Sequence, residues 1–476
     1  MTVAVELPEE IEVVNLGLPL FADAVREQDR PVVHVDWRPP ADGDPVLVAA
    51  LSRLYGKRAA SIDTANVEVA RRFDQGVPML VGVEAAGQAL PGVGERTIVH
   101  CGPRIEWDRV CDPLRRSVRA AVMAEGWADS PGGAEALLAA GEVQLEPANL
   151  HQAVVPMASA IGPSMPVFVV DNPQGGTRAY SAINQGPGEV PWFGRETPAA
   201  VERLVFLREV AGPLLAECLA QVGQIDIFGL ASQGLQMGDD LHMRTQATTN
   251  LFVRALLPQL IGLEAPRRAE LGRFLAANHL FFLNLAMAGA KSLTLWAEQV
   301  EGSSLVTTMS RNGTDYGIRL SGSDEWFITA SPPVGNAMYY SGFGPDQAAP
   351  DIGDSAVLEL IGLGGSAAAA SPAVAAFVGG TMADAIATTE EVDRIAVARS
   401  TRLKLPTLDY RGTPMGIDVR KVVELGITPK VNTGILHATD GTGQVGAGVA
   451  EAPIACFREA LLALDRRLGG EIAKSA

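Results

Sequence analysis

Between residues 198 and 303 apolar side chains recur at three- and four-residue steps, in AAVERLVFLREVAGPLLAECLAQV, LFVRALLPQLIGL and HLFFLNLAMAGAKSLTLWAEQV. That spacing lines one face of an α-helix, so residues 198–303 are expected to form a helical subdomain. The pattern differs on either side. Residues 89–197 mix strand-like runs (TIVHCG, MPVFVVDN) with a helix-like DPLRRSVRAAVMAEGWA, which predicts an α+β domain. From 304 to 476 short strands and glycine loops alternate with helices and end in an amphipathic stretch around 453–468, predicting a second, glycine-loop-rich α+β domain. Residues 1–88 contain a small Rossmann-like βαβ piece: IEVVNLG, then the amphipathic LPLFADAVREQ, then PVVHVDW, with Gly17 closing the first turn. Turn clusters at 37–45 (WRPPADGDP) and 87–97 (GQALPGVGERT) punctuate the chain, and the second sets the boundary near residue 88. The fold class is therefore α/β (mixed α+β) and multidomain.

Composition narrows the partners. With 476 residues and 47% hydrophobic content the chain can bury several cores, and a formal charge of −17 argues against nucleic acid or an anionic membrane surface. An anionic ligand must be held by local groups. Residues 360–383 carry no charge, but they are mostly Ala, Gly and Ser with Pro372 in the middle, which predicts a buried, tightly packed helix rather than a membrane span. A dinucleotide fingerprint needs three spaced glycines and NLGLPLF supplies one, so no cofactor is expected. Cys101, Cys111, Cys218 and Cys456 form no CxxC pair, and the first residues lack the basic and apolar regions of a signal peptide. Both observations point to reduced thiols in the cytoplasm.

Candidate chemistry gathers in glycine-punctuated turns: SRNGTDYGIR (310–319), PDIGDSA (350–356), GLGGSA (362–367), NTGILH (432–437) and GTGQVGAG (441–448). Glycine admits positive φ and close backbone approach, so several such loops predict a site for an anionic small molecule. Arg311 and Asn312 stand before Gly313, where a guanidinium can fork onto a carboxylate or instead form a structural ion pair. Asp354 and Ser355 either orient an amide nitrogen or cap the helix that follows. Gly364, Gly365 and Ser366 read as a phosphate cradle at a helix start, or as close packing of glycine against a neighbour. Asn432, Thr433 and Gly434 offer oxyanion donors, with His437 as a proton carrier or a satisfied structural residue. Asp240 and His242 sit together in GDDLHMR without the further His or Cys that a metal site needs. Asn284 and Lys291 lie two helical turns apart in an apolar stretch, where a buried lysine requires a partner or a function. No GxSxG elbow is present to suggest a serine hydrolase.

The strings EGWA (125–128), SMPVFVVDN (164–172), RAYSAINQGPG (178–188), QMGDDLHMR (236–244), FFLNLAMAGAK (281–291) and GIDVRKVVELGITP (416–429), with the loops above, resemble the YlbE-like or AllG family. Its members are subunits of bacterial oxamate carbamoyltransferase. The segment VVNLG to PVVHVDWRPPADGD also resembles the tail of FdrA-like proteins, implying a docking piece and an FdrA-like partner in a hetero-oligomer, with a homodimer as the other assembly. The resemblance implies transfer of a carbamoyl group from carbamoyl phosphate to oxamate, giving oxalurate in purine-nitrogen catabolism. On that reading Arg311 clamps a carboxylate, residues 364–366 cradle phosphate, Asn432 and Thr433 face the oxyanion, and Asp354 or His437 takes the proton. A scaffold subunit without catalysis, or an amide or ureido hydrolase, are the alternatives. One departure stands at 147–156, PANLHQAVVP, where Asn149 and Leu150 replace histidines of the family, His151 remains and Val155 replaces a glycine.

Overall fold

The computed structural model describes residues 12–35, 37–264 and 266–469. The helix Phe281–Ala297 is its axis. It is apolar all round, and sixteen of its seventeen residues are buried, the pattern of a helix enclosed by other elements rather than lying on a surface. Gly289 lets it approach Ile227 and Phe228 of a neighbouring helix, since a Cβ there would meet their side chains at 3.2 and 3.1 Å. The helix packs on the strands Pro166–Asn172 and Thr177–Ala182, a hairpin whose Val167 stands opposite Ala182.

That hairpin belongs to a five-stranded sheet with the order Ile225–Asp226, Met79–Ala85, Pro166–Asn172, Thr177–Ala182, Ala153–Val154. Met79–Ala85 lies before the boundary expected near residue 88 and pairs with Pro166–Asn172 beyond it, so the sheet joins the two sides. Residues 198–303 are helical as their periodicity predicts, from Pro198–Phe206 to Phe281–Ala297, with a π-turn at Leu207–Ala211. Beyond them, four strands order as Phe327–Ala330, Asp315–Leu320, Val306–Asn312, Ile352–Gly353, and three as Gly335–Tyr339, Gln444–Glu451, Lys430–Leu436. A bridge between Pro156 and Gly353 ties this region to the first sheet. One hydrophobic core runs through the chain from Ala41 to Leu464.

At the N-terminal end the expected βαβ unit is present. The strands Val13–Leu16 and Val32–Val35 pair in parallel, with the helix Pro19–Arg26 between them. Val14, Leu16 and Val33 point outward and are exposed. The uncharged stretch 360–383 is buried at its start but is not one helix. A 3-10 helix, Gly364–Ala370, stops at Ser371, and Pro372 opens a short α-helix to Phe377, because proline suits a first helical turn and not an interior. Among the described residues no single helix is long and apolar enough to cross a membrane; only the pair Arg268–Ala277 and Phe281–Ala297 has the combined length, and it is bent by 81°.

A candidate active site around His242

The loop GDDLHM leaves the helix Ile227–Gln236 through Gly238 at φ +94° and returns at Gln246–Gly262. Its carboxylates hold the loop in place. Asp239 accepts from the Ala247 and Thr248 amides, the Thr248 hydroxyl and Arg244 Nη1. Asp240 accepts from the amides of His242 and Arg244 at one oxygen and from Asn432 Nδ2 (2.7 Å) at the other. So braced, His242 donates from Nδ1 to Glu359 Oε1 at 2.7 Å, with both side chains buried. A carboxylate on Nδ1 fixes the ring tautomer and leaves Nε2 as the nitrogen that can take a proton.

Glu359 is held from the other side by the glycine turn. Gly365 N–H donates to Glu359 Oε1 at 3.0 Å, Ser366 Oγ donates to the Glu359 carbonyl at 2.8 Å, and Gly364 N–H donates to the Asp240 carbonyl at 2.8 Å. A Cβ at Gly364 would lie 2.1 Å from Glu359 Oε1, and one at Gly365 1.9 Å from the Lys430 carbonyl, so only glycine admits this approach. The turn therefore serves the Glu359 carboxylate and not a phosphate; its amides are spent inside the protein. The helix it opens has seven residues and is 3-10.

His242 lines a cavity of about 220 Å³, together with Ser355, Asn278, Trp192, Gly434 and Gln444. Its wall from Gly186 to Trp192 is fixed by an asparagine relay. Asn284 donates to the Ala182 carbonyl and accepts from Asn184 Nδ2; Asn278 donates to the Asn184 carbonyl; and Gln185 accepts from the Trp192 amide. Asn278 belongs to the lining, and its Oδ1 is buried without a hydrogen-bond partner. Larger hollows of about 320, 430, 460 and 570 Å³ exist, but none of these is lined by a histidine.

Of the residues singled out from the sequence, Asp240, His242, Gly364, Gly365, Ser366 and Asn432 come together behind the cavity, and His242, Ser355 and Gly434 line it. Others do not. Arg311 is wholly buried, bidentate to Asp351 (2.8 and 2.9 Å) and bonded to the Gly353 carbonyl, so its fork is occupied by the protein. Asn312 caps its own turn by accepting from the Thr314 and Asp315 amides. Lys291 pairs with Glu298 at 3.4 Å, with burial pulling its pKa down, and Asn284 acts through Asn184. Asn432 gives its amide to Asp240, and the Thr433 hydroxyl donates to the Gly434 carbonyl. His437 lies in a hairpin loop, 3.0 Å from Asp440 and edge-on to Phe343, outside the cavity lining.

Asp354 accepts from the Gly102 and Val155 amides and from the Ser310 hydroxyl, which in turn accepts from Asn149 Nδ2. Burial pushes its pKa up to about 6. It is a latch between segments, and Asn149 of the divergent 147–156 loop belongs to it. That loop reaches the cavity itself through Pro156. The residues missed from the sequence are Glu359, Asn184, Gln185, Trp192, Asn278 and Gln444. The string INQGPG carried a signal in its two adjacent amides and paired glycines, whereas Glu359 sits in an ordinary apolar run, AVLELIGL.

The fold and site define a mixed α/β protein with a histidine–glutamate pair buried beside a small cavity. The profile of the family described as oxamate carbamoyltransferase subunit AllG matches residues 143–355. The chain is 39% identical to the oxamate carbamoyltransferase subunit AllG of Escherichia coli K12 over 414 residues, 86% of this chain and 99% of that one. It is 34% identical to the uncharacterized protein YahG of the same organism over 465 residues, covering 97% and 98%. A crystal structure of a conserved protein of unknown function from Enterococcus faecalis V583 superposes with a TM-score of 0.83 at 36% identity, covering 85% of this chain and 97% of that one. The chain belongs to the AllG family.

Proposed function

We propose that this chain is a subunit of a carbamoyltransferase that moves the carbamoyl group of carbamoyl phosphate to the amide nitrogen of an oxamate-like acceptor bound beside His242. The observation that carries the reading is the buried His242–Glu359 pair at the cavity wall. An amide nitrogen is a poor nucleophile and must lose a proton as it attacks. In this mechanism the nitrogen attacks the carbamoyl carbon, the C–N bond forms, the C–O bond to phosphate breaks and inorganic phosphate leaves. The N–H proton passes to His242 Nε2, and Glu359 stabilises the imidazolium that results. Asn278 Oδ1 is the acceptor that would hold an amide N–H. With oxamate as acceptor the product is oxalurate.

The family's name supports a multi-subunit enzyme. The exposed Val14, Leu16 and Val33 of the N-terminal unit fit a docking piece for an FdrA-like subunit. The four cysteines, all free, suit a reducing cytoplasm. The test is a phosphate-release assay with carbamoyl phosphate and oxamate on the assembled enzyme. His242→Gln should lower kcat by about 10² to 10⁴ while the complex still assembles. Turnover at the wild-type rate would refute the reading.

A further inference from the structure

The wall of the cavity is unusual for a site that is to hold anions. Among the described residues no lysine or arginine lines it, and the pair behind it brings the Glu359 carboxylate, whose Oε2 is buried without a partner. The arginines on neighbouring segments are engaged elsewhere. Arg244 binds Asp239, Arg195 binds Glu189 and the Thr442 carbonyl, and Arg203 binds the Gln185 carbonyl. An oxamate or carbamoyl phosphate anion in this low-dielectric space, with a carboxylate behind it, needs a positive charge within a few ångströms. The mouth of the cavity meanwhile exposes large apolar side chains. Tyr340 is 42% and Phe377 46% exposed at the rim, and Met338, 50% exposed and two residues before Tyr340, lines the adjoining hollow of about 430 Å³ against Gly379. Aromatic and methionine side chains grouped around a concave opening are the composition of an interface core, not of a solvated surface.

Resting on the function proposed above, we propose that the surface formed by the rim residues Tyr340 and Phe377 and by the neighbouring Met338 is the seat of a partner subunit that places a lysine or arginine over the cavity, completing the anion site and closing it to water. The charge of the substrate and the cation-free wall fix the chemistry of that partner surface: a basic side chain set among apolar ones. A second copy of this chain fits less well, because its formal charge is −17.

The experiment compares two ligands of nearly the same shape, the monoanion oxamate and the neutral diamide oxamide. Each is titrated calorimetrically into the isolated chain and into the complex purified through a tag on this chain. The isolated chain should bind oxamide and bind oxamate at least about tenfold more weakly, and the complex should reverse the order. Met338→Asp and Phe377→Asp, at exposed positions, should leave the melting temperature of the isolated chain in place and reduce complex formation at least about tenfold. Oxamate bound by the isolated chain as tightly as by the complex, or normal assembly of both variants, overturns the inference and leaves the His242 reading standing. Failure of both ligands to bind chain and complex removes the cavity as a site, and this inference with it.

Discussion

One oxygen of Glu359 accepts from both the His242 ring and the Gly365 amide, so a single atom sets the tautomer of the imidazole and anchors the glycine turn. Replacing it by glutamine keeps the shape and removes the carboxylate charge that faces the ring. Glu359→Gln is expected to lower kcat about 10²-fold with little change in KM, read by steady-state phosphate release. Arg311 makes the contrasting case. Arg311 and Asp351 are both fully buried, so Arg311→Met strands a carboxylate in the core and should cost about 3–5 kcal/mol in urea unfolding. The double variant with Asp351→Leu removes the stranded charge and should recover most of that stability. Recovery of turnover in the double variant would show that the guanidinium never touches the substrate, whereas stability without turnover would return it to the anion clamp.

The glycine turn shows what an element contributes beyond its residues. Gly364 holds φ +58° with Glu359 Oε1 in the space a Cβ would take, so Gly364→Ala must push the carboxylate off His242. The expected outcome is a loss of kcat approaching that of Glu359→Gln, with a fall in melting temperature, whereas Gly426→Ala, at a C-cap with open space around it, should lower the melting temperature alone. The sequence made the turn legible as a place where only glycine fits. It did not reveal what fills the space, because the contact joins residues that periodicity cannot bring together: His242 and Glu359 stand 117 positions apart. Helices were readable wherever one face was apolar, as over 198–303. The stretch 360–383 misled, because alanine and glycine suit tight packing of any backbone and Pro372 decides where a helix restarts. Arg311 and Lys291 stayed open between two readings for a related reason. A charge in an apolar run announces burial, and burial is met equally by an internal partner and by a ligand; Asp351 and Glu298 provide the former.

Across the whole molecule, Asp354 ties together Gly102, just after the strand Thr97–His100, Val155, just after Ala153–Val154 of the five-stranded sheet, and Ser310 of the four-stranded sheet. Its backbone amide also donates to the Val155 carbonyl, so the cavity floor at Pro156 and Ser355 is positioned by this one latch. Burial raises the carboxyl from its ordinary 3.8 to about 6. Between those values the folded chain binds more protons here than the unfolded chain. The contribution of Asp354 to stability is therefore fully present in acid, declines as pH rises through about 6 and is constant above, a difference of about 3 kcal/mol. Carboxylates with lowered pKa, such as Glu68, held at about 2 chiefly by its hydrogen bond from Arg71, act in the opposite sense, but identically in wild type and in an Asp354 variant. Urea unfolding from pH 4 to 7 should accordingly show Asp354→Asn less stable in acid by more than it is at pH 7, the gap narrowing as wild type loses the term that the variant lacks. A gap that stays constant across this range would mean that the Gly102, Val155 and Ser310 donors outweigh burial, and that the latch is a charged carboxylate throughout.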